Sequence, residues 1–541
     1  MNLVVKYQDR HLADRVFDMA WTHSQVILRQ LNASEAEAQL HARLASCVLY
    51  ANAGLRPEAA VLLRNRRGQS GLWGYAISGD LPIVLLRIGD VAHLDLVHQL
   101  VQAHAYWRLK GLAVDLVIWN EDHGGYRQYL QDAIMGLISS SIEVGMLDKP
   151  GGIFVRVAEQ ISGDDRVLFQ AVARAVLIDS RGTIEQQLDD RRLSEARPPR
   201  FFARAPRRKP APVASGLGAI SQPELMLSNG LGGFTRDGRE YVITLAPGMS
   251  TPAPWVNVLA NPFFGTIVSE SGSAYTWGEN AHEFRLTPWH NDPVSDPGGE
   301  AIYLRDQETG EFWSPTPLPA PASTTYLIRH GFGYSVFESV VDGIHAQLWV
   351  YVALDAPVKF SLLKLRNRSG RPRQLAVTGY VEWVLGDLPA RTVMHVTTEV
   401  DAPTGALLAR NAYSPEFSDR VAFFDVDDRP RTLTTDRGEF LGRNGTPANP
   451  AALRRTRLSG SVGAGFDPCA ALQVNVALAA GQEREVVFRL GVGVNADEVA
   501  GLLPRLRGAE VARLKLEAVR AHWQRTLGSV RIETPDPALD V

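Results

Sequence analysis

Three tryptophans, Trp255, Trp277 and Trp289, and Tyr275 fall inside one stretch, residues 228–306, among Asn, Asp, Ser and Gly. That mixture suits a sugar. A flat aromatic face covers the C–H side of a pyranose, and amide and carboxylate groups satisfy its hydroxyls. The candidate binding residues are Trp255, Asn257, Trp277, Trp289, His290, Asn291 and Asp292. Trp289-His-Asn-Asp292 stands between Pro288 and Pro293 and reads as a rigid loop that can present polar groups. The competing readings are structural: tryptophans that fill the core of an ordinary β-sandwich, and Asn291 and Asp292 capping a turn. His290 has no neighbours that complete a metal set, so it also reads as a surface histidine, and no metal ligand is assigned. Glu270 and Glu382 are the acids that could act as a carboxylate pair on a glycosidic bond. Isolated acids are more often solvated or ion-paired, which is the plainer reading here.

A second place for chemistry is Glu121-Asp122, just after the apolar run that ends at Trp119. Open α/β sheets bind ligands beyond the carboxyl ends of their strands, although acids there also cap helices. The region has no Gly-x-Gly-x-x-Gly turn and no Walker-type loop, so nucleotide binding has no support.

The elements that must position these residues differ along the chain. Residues 1–64 read as helical, with a break at Asn32 and an N-cap Ser34 followed by Glu37. Residues 65–193 alternate apolar runs (81–88, 113–119, 153–157, 175–178) with helical segments, the pattern of a small α/β domain with a partly parallel sheet. Residues 194–223 are rich in Pro and Arg without a period and read as a flexible linker. Residues 224–494 show period-2 alternation, as in Phe360-Ser-Leu-Leu-Lys-Leu, and Asp-Gly and Ser-Gly turns, so they read as a large antiparallel β-sandwich. Residues 495–541 return to helix, with Asp497 as N-cap and Val511, Leu514, Ala518, Val519 and Trp523 on the expected buried face.

The whole is a multidomain α+β chain of 541 residues with net charge −3. Its near balance of charge argues against a nucleic-acid partner. Two cysteines, Cys47 and Cys469, make no disulfide framework and fit a reducing compartment. No apolar run reaches the roughly 20 residues of a membrane span. The N-terminus lacks the order of a signal peptide, so a cytoplasmic location is expected.

Several motifs together resemble glycoside hydrolase family 94, formerly glycosyltransferase family 36: Asn229-Gly-Leu-Gly-Gly-Phe234, Thr251-Pro-Ala-Pro-Trp-Val-Asn257, Ser269-Glu-Ser-Gly-Ser-Ala-Tyr-Thr-Trp277, Leu286-Thr-Pro-Trp-His-Asn-Asp-Pro-Val-Ser-Asp-Pro297 and Gly465-Phe-Asp-Pro-Cys-Ala470. Arg67-Gly-Gln-Ser-Gly-Leu-Trp73 and Tyr106-Trp-Arg-Leu-Lys-Gly111 resemble the segment ahead of that module in cyclic β-1,2-glucan synthases. The resemblance extends to those synthases and to β-1,2-oligoglucan phosphorylases. It implies a galactose-mutarotase-like super-sandwich followed by a helical linker and then an (α/α)6 barrel that holds the catalytic Asp. It also implies inverting phosphorolysis, with inorganic phosphate as co-substrate and no cofactor. Phosphate is already an anion, so it needs positioning rather than the second carboxylate of a hydrolase.

On this resemblance the chain stops where the barrel would begin. It is expected to be the non-catalytic N-terminal portion of such an enzyme, and no catalytic residue is assigned to it. Its expected partners are a β-glucan oligosaccharide, its own barrel and, as in the family, a second copy in a homodimer. A parent synthase would be anchored in the inner membrane with this part on the cytoplasmic side. The alternative is a stand-alone carbohydrate-binding or assembly module.

Overall fold

A computed structural model describes residues 2–50, 53–122, 127–194, 220–530 and 532–540. Most of the stretch read as a linker, 195–219, lies outside the described residues. The chain divides into two compact units, 1–200 and 201–541.

The first unit is built on four parallel strands in the order Ile153–Val157, Asp115–Asn120, Ile83–Ile88, Ala173–Ile178. These are the apolar runs of the sequence. They are apolar on both faces because helices cover both sides of a parallel sheet. Helices Glu35–Leu49, Leu94–Leu109 and Arg127–Ser139 share one core with Val84, Leu86, Leu116 and Leu177. Helix Gly163–Val172 packs on the strands Ile83–Ile88 and Ala173–Ile178, and its Phe169 meets Trp119 edge to face at 5.6 Å. The first strand in the chain is interior, and the crossovers leave it in both directions. The sheet is therefore doubly wound, with its reversal between Ile83–Ile88 and Ala173–Ile178. Ser34 and Glu37 form the capping box that starts Glu35–Leu49.

The second unit layers three antiparallel sheets. The largest has eleven strands, with Val358–Asn367, Ile344–Val352 and Tyr334–Val341 at its middle and Val396–Val400 and Leu225–Met226 at its edges. Facing it are a five-stranded sheet centred on Arg373–Glu382 and a three-stranded sheet of Ala274–Gly278, Phe264–Ser269 and Val256–Asn261. Period-2 alternation sends Leu348, Leu363 and Phe488 from the large sheet, Leu375 and Val377 from the second, and Leu259, Phe264 and Val268 from the third into one apolar core. Two asparagines bind the small sheet to the large one. Asn257 Nδ2 donates to the carbonyls of Gly331 and Tyr334, each at 3.0 Å, and Asn261 Nδ2 donates to those of Ala353 (2.8 Å) and Ala356 (2.9 Å).

The outer face of the large sheet, with Val336, Phe360 and Phe423, is covered by helices Ala496–Arg505 and Ala509–Leu527. The N-cap of the first is Asn495 rather than Asp497, its side chain accepting the N–H of Glu498. The buried seam of the second is Ala512, Leu516 and Val519, with Leu514 and Ala518 outside. The physical reason is a charge lock that sets the helix rotation. Fully buried Asp425 accepts from Arg489 (2.9 Å), Arg507 (2.9 Å) and Arg431 (2.8 Å), and Arg489 also holds the carbonyl of Leu506 at 2.7 Å. Burial by itself would raise the Asp425 pKa. The three guanidinium groups outweigh that and hold it below the usual carboxylate range.

No helix among the described residues is long and apolar enough to cross a membrane. Replacing Asp425→Asn would take their carboxylate partner from buried Arg431 and half-buried Arg507 and leave buried Arg489 with Asp427 alone. The expected cost is about 3–5 kcal/mol, read as a lower midpoint in urea with early loss of the covering helices.

Candidate functional site

The three-stranded sheet has one face in the core and one outside. Val256, Val258, Ile267, Tyr275 and Trp277 stand on the outer face, where Tyr275 is opposite Ile267 and Ile267 opposite Val258. Val256 and Val258 are 48% and 57% exposed and lie side by side on this face. At one end of the face the aromatic rings gather. Tyr275 lies 4.8 Å from Trp289 and 5.1 Å from Trp277, with tilts of 38° and 31°. Gly265 makes room for this, since a Cβ there would come within 2.3 Å of the Trp277 ring. Trp289 is 38% exposed, and beside it opens a cavity of about 280 Å³ lined by Val256, Ile267, Trp289, Asn291, Asp292 and Asp296.

The loop that supplies half of this lining is stiff. Asn291 and Asp296 both have left-handed backbones (φ 50° and 42°). Asp292 accepts the N–H groups of Val294 (2.9 Å) and Ser295 and the Ser295 hydroxyl, and these bonds hold its carboxyl below the usual range. It therefore closes a turn and lines the cavity at once. Asp296 takes the hydroxyls of Ser269 (2.6 Å) and Ser271 (2.5 Å), which pins the loop to the sheet.

The sequence-derived set divides. Trp277, Trp289, Asn291 and Asp292 come together with Tyr275 on the outer face. His290 is exposed beside them and is not part of the cavity lining. Trp255 and Asn257 alternate with Val256 and so point the other way: Trp255 packs on the core and meets Tyr241 edge to face at 5.9 Å, and Asn257 is the inter-sheet clamp described above. Of the outer-face residues outside the sequence-derived set, Val256, Val258 and Ile267, the first two have a visible signal: Val256, Val258 and Ala260 make one apolar alternation, while the other carries Asn257 and Asn261.

The two acids considered for catalysis are on different sheets and engaged. Glu270 is buried and accepts the Thr251 hydroxyl and the N–H of Trp255 (2.7 Å), with burial raising its pKa. Glu382 ends the strand Arg373–Glu382 and pairs with Arg437 at 2.9 Å, and burial again pushes its pKa up. Among the described residues no group of three His, Cys, Asp or Glu is placed to hold a metal ion. In the first unit Glu121 pairs with Arg87 at 2.8 Å, and Asp122 follows it with its N–H on Asn120 Oδ1. The strand-order reversal is occupied by Asp179, which accepts the N–H groups of Gly89 (2.9 Å) and Asp90 (3.2 Å), where a ligand anion would otherwise sit.

Behind the face, Trp255 is held from the large sheet. His330 Nε2 donates to the Trp255 carbonyl at 3.1 Å while Nδ1 accepts from Ser335 at 2.8 Å, and burial pushes the imidazole down to about 4. The unfolded chain, with an ordinary value near ~6.5, takes up this proton first as pH falls. Stability from His330 is whole above pH ~6.5 and declines toward pH ~4, by up to about 3 kcal/mol. Denaturation measured across that window should show the slope, and His330→Gln should reduce it.

Comparison with known proteins gives the following. Residues 239–509 match the family model described as the supersandwich domain of glycosyl hydrolase 94. The chain is 36% identical over 535 residues to the cyclic beta-(1,2)-glucan synthase NdvB of Rhizobium meliloti (strain 1021), covering 96% of this chain and 19% of that protein. It is 28% identical over 327 residues to an N,N'-diacetylchitobiose phosphorylase of Vibrio proteolyticus (57% and 39% covered). It is 30% identical over 267 residues to a solabiose phosphorylase of Paenibacillus borealis (47% and 34% covered). The chain thus spans about a fifth of the first relative's length and less than two fifths of the others'.

Proposed function

The chain belongs to glycosyl hydrolase family 94, whose supersandwich domain it carries, and on that premise we propose that it is the non-catalytic part of a glucan synthase or phosphorylase that holds the saccharide beside the catalytic domain. The observation that carries this reading is the outer face of the three-stranded sheet. Trp277 and Trp289 flank the buried ring of Tyr275, and Trp289 and Asn291 line the cavity beside them. Such a face binds a pyranose by contact with its C–H side and orients it by one or two hydrogen bonds. The cavity is close to the lower size of small-ligand pockets, so it suits one sugar unit rather than a long segment.

Bond cleavage, in this reading, belongs to a barrel that follows the helix Ala509–Leu527, with inorganic phosphate as the attacking group. The exposed Val256 and Val258 are the surface on which that barrel or a second copy would rest. A β-1,2-linked glucan is the substrate class supported by the likeness to the glucan synthase.

Titration of the chain with β-1,2-glucooligosaccharides should change Trp fluorescence, and Trp289→Ala should weaken binding about tenfold. With phosphate present the chain should release no glucose 1-phosphate. Release of that product would overturn the division of labour proposed here, and a flat titration would remove the saccharide face.

A further inference from the structure

The loop 288–299 carries Trp289, Asn291 and Asp292, and one largely buried carboxylate, 10% exposed, ties both its ends. Thr287, at the entrance, donates its hydroxyl to Glu300 Oε1 at 2.8 Å, and Glu300 is the first residue of the strand that leaves the loop. Thr276, between Tyr275 and Trp277, donates to the same oxygen at 2.6 Å, and its N–H donates to the Thr287 hydroxyl at 2.8 Å. The other carboxylate oxygen takes Lys359 Nζ at 2.6 Å. Lys359 comes from the large sheet, is 4% exposed, and directs its remaining N–H groups at Thr266 (3.2 Å) and Thr276 (3.4 Å).

Such a pair is poor evidence of stability. Desolvating two charges offsets their attraction, and an apolar pair of similar volume often does as well. An apolar pair could not hold Thr276 and Thr287 in single rotamers, however; Thr276 stands between Tyr275 and Trp277, and Thr287 is two residues ahead of Trp289. We propose that Lys359 and Glu300 are positioning residues for the aromatic face. They act through Thr276 and Thr287 to set Tyr275, Trp277 and Trp289 in the geometry that takes a sugar, a role that rests on the saccharide reading above. The ion pair itself lies behind the face and touches no ligand.

The test compares the wild-type chain with Lys359→Met/Glu300→Leu, which removes both charges at similar volume, and with Thr287→Val, which removes one hydroxyl. Thermal unfolding, amide hydrogen exchange by peptide and oligosaccharide titration are read for each. The expected result for both variants is an unfolding midpoint within a few degrees of wild type, exchange at 274–299 faster by about tenfold or more, and weaker saccharide binding. Exchange at 274–299 that stays at the wild-type rate in both variants overturns the proposal. So does exchange that rises equally in the strands Arg373–Glu382 and Pro468–Leu478, since that marks a general stabilising role. If the loop loosens but wild type binds no oligosaccharide, the positioning role stands and the saccharide reading falls. If wild type binds and the variants bind equally well, the positioning role falls.

Discussion

A lysine ammonium and a glutamate carboxylate sit where three β-sheets meet, and the geometry of the aromatic face turns on how their charges are satisfied. Lys359 belongs to the eleven-stranded sheet, Glu300 to the five-stranded sheet, and Thr266 and Thr276 to the three-stranded one. Apolar contact alone would let these layers slide, because it has no direction. Hydrogen bonds to desolvated charges have both direction and a high cost of misplacement, so they fix how Thr266, Thr276, Thr287 and Glu300 meet at this point. The asparagine clamps at 257 and 261 act in the same sense, each amide bound to two carbonyls of the large sheet.

From that constraint follows the exposed face. With one side of the small sheet committed to the core, its other side must present whatever alternates with the core residues. Here that is two valines, an isoleucine and an aromatic group rather than charge. The Asp425 lock does the corresponding work on the opposite surface, fixing the rotation of the helices that cover the large sheet. The sandwich is thus held by directed polar contacts near both surfaces of its large sheet, and its apolar interior fills the space between.

Much of this is legible in the sequence. The apolar runs 81–88 and 113–119 announced a parallel sheet because strands covered on both sides need no polar alternation. Ser34 and Glu37 announced a helix start through reciprocal capping. The crowding of Trp255, Trp277, Trp289 and Tyr275 announced a place where aromatic surface matters. The motif set carried the family, and with it the layered sandwich. The covering helix is also legible, and Val519 and Trp523 turn inward as expected, but Ala512 and Leu516 take the buried places expected for Leu514 and Ala518. A helix with apolar residues at 511, 512, 514, 516, 518 and 519 has more than one stripe to offer, and the Arg507–Asp425 contact decides which one turns inward.

Residue types and spacings by themselves determined that strands, turns and helices would form where they do, since propensity, capping and period act over a few neighbours. They also determined that aromatic groups would be concentrated between residues 255 and 289. Tertiary structure alone decided which of those aromatics face outward. Along Val256–Asn261 either alternation could have been the core side, and the choice fell to Asn257 and Asn261, whose amides meet carbonyls at 331, 334, 353 and 356. Contacts across 74 to 95 residues of chain leave no periodic trace in a sequence, because their partners are chosen by the stacking of sheets and not by local geometry.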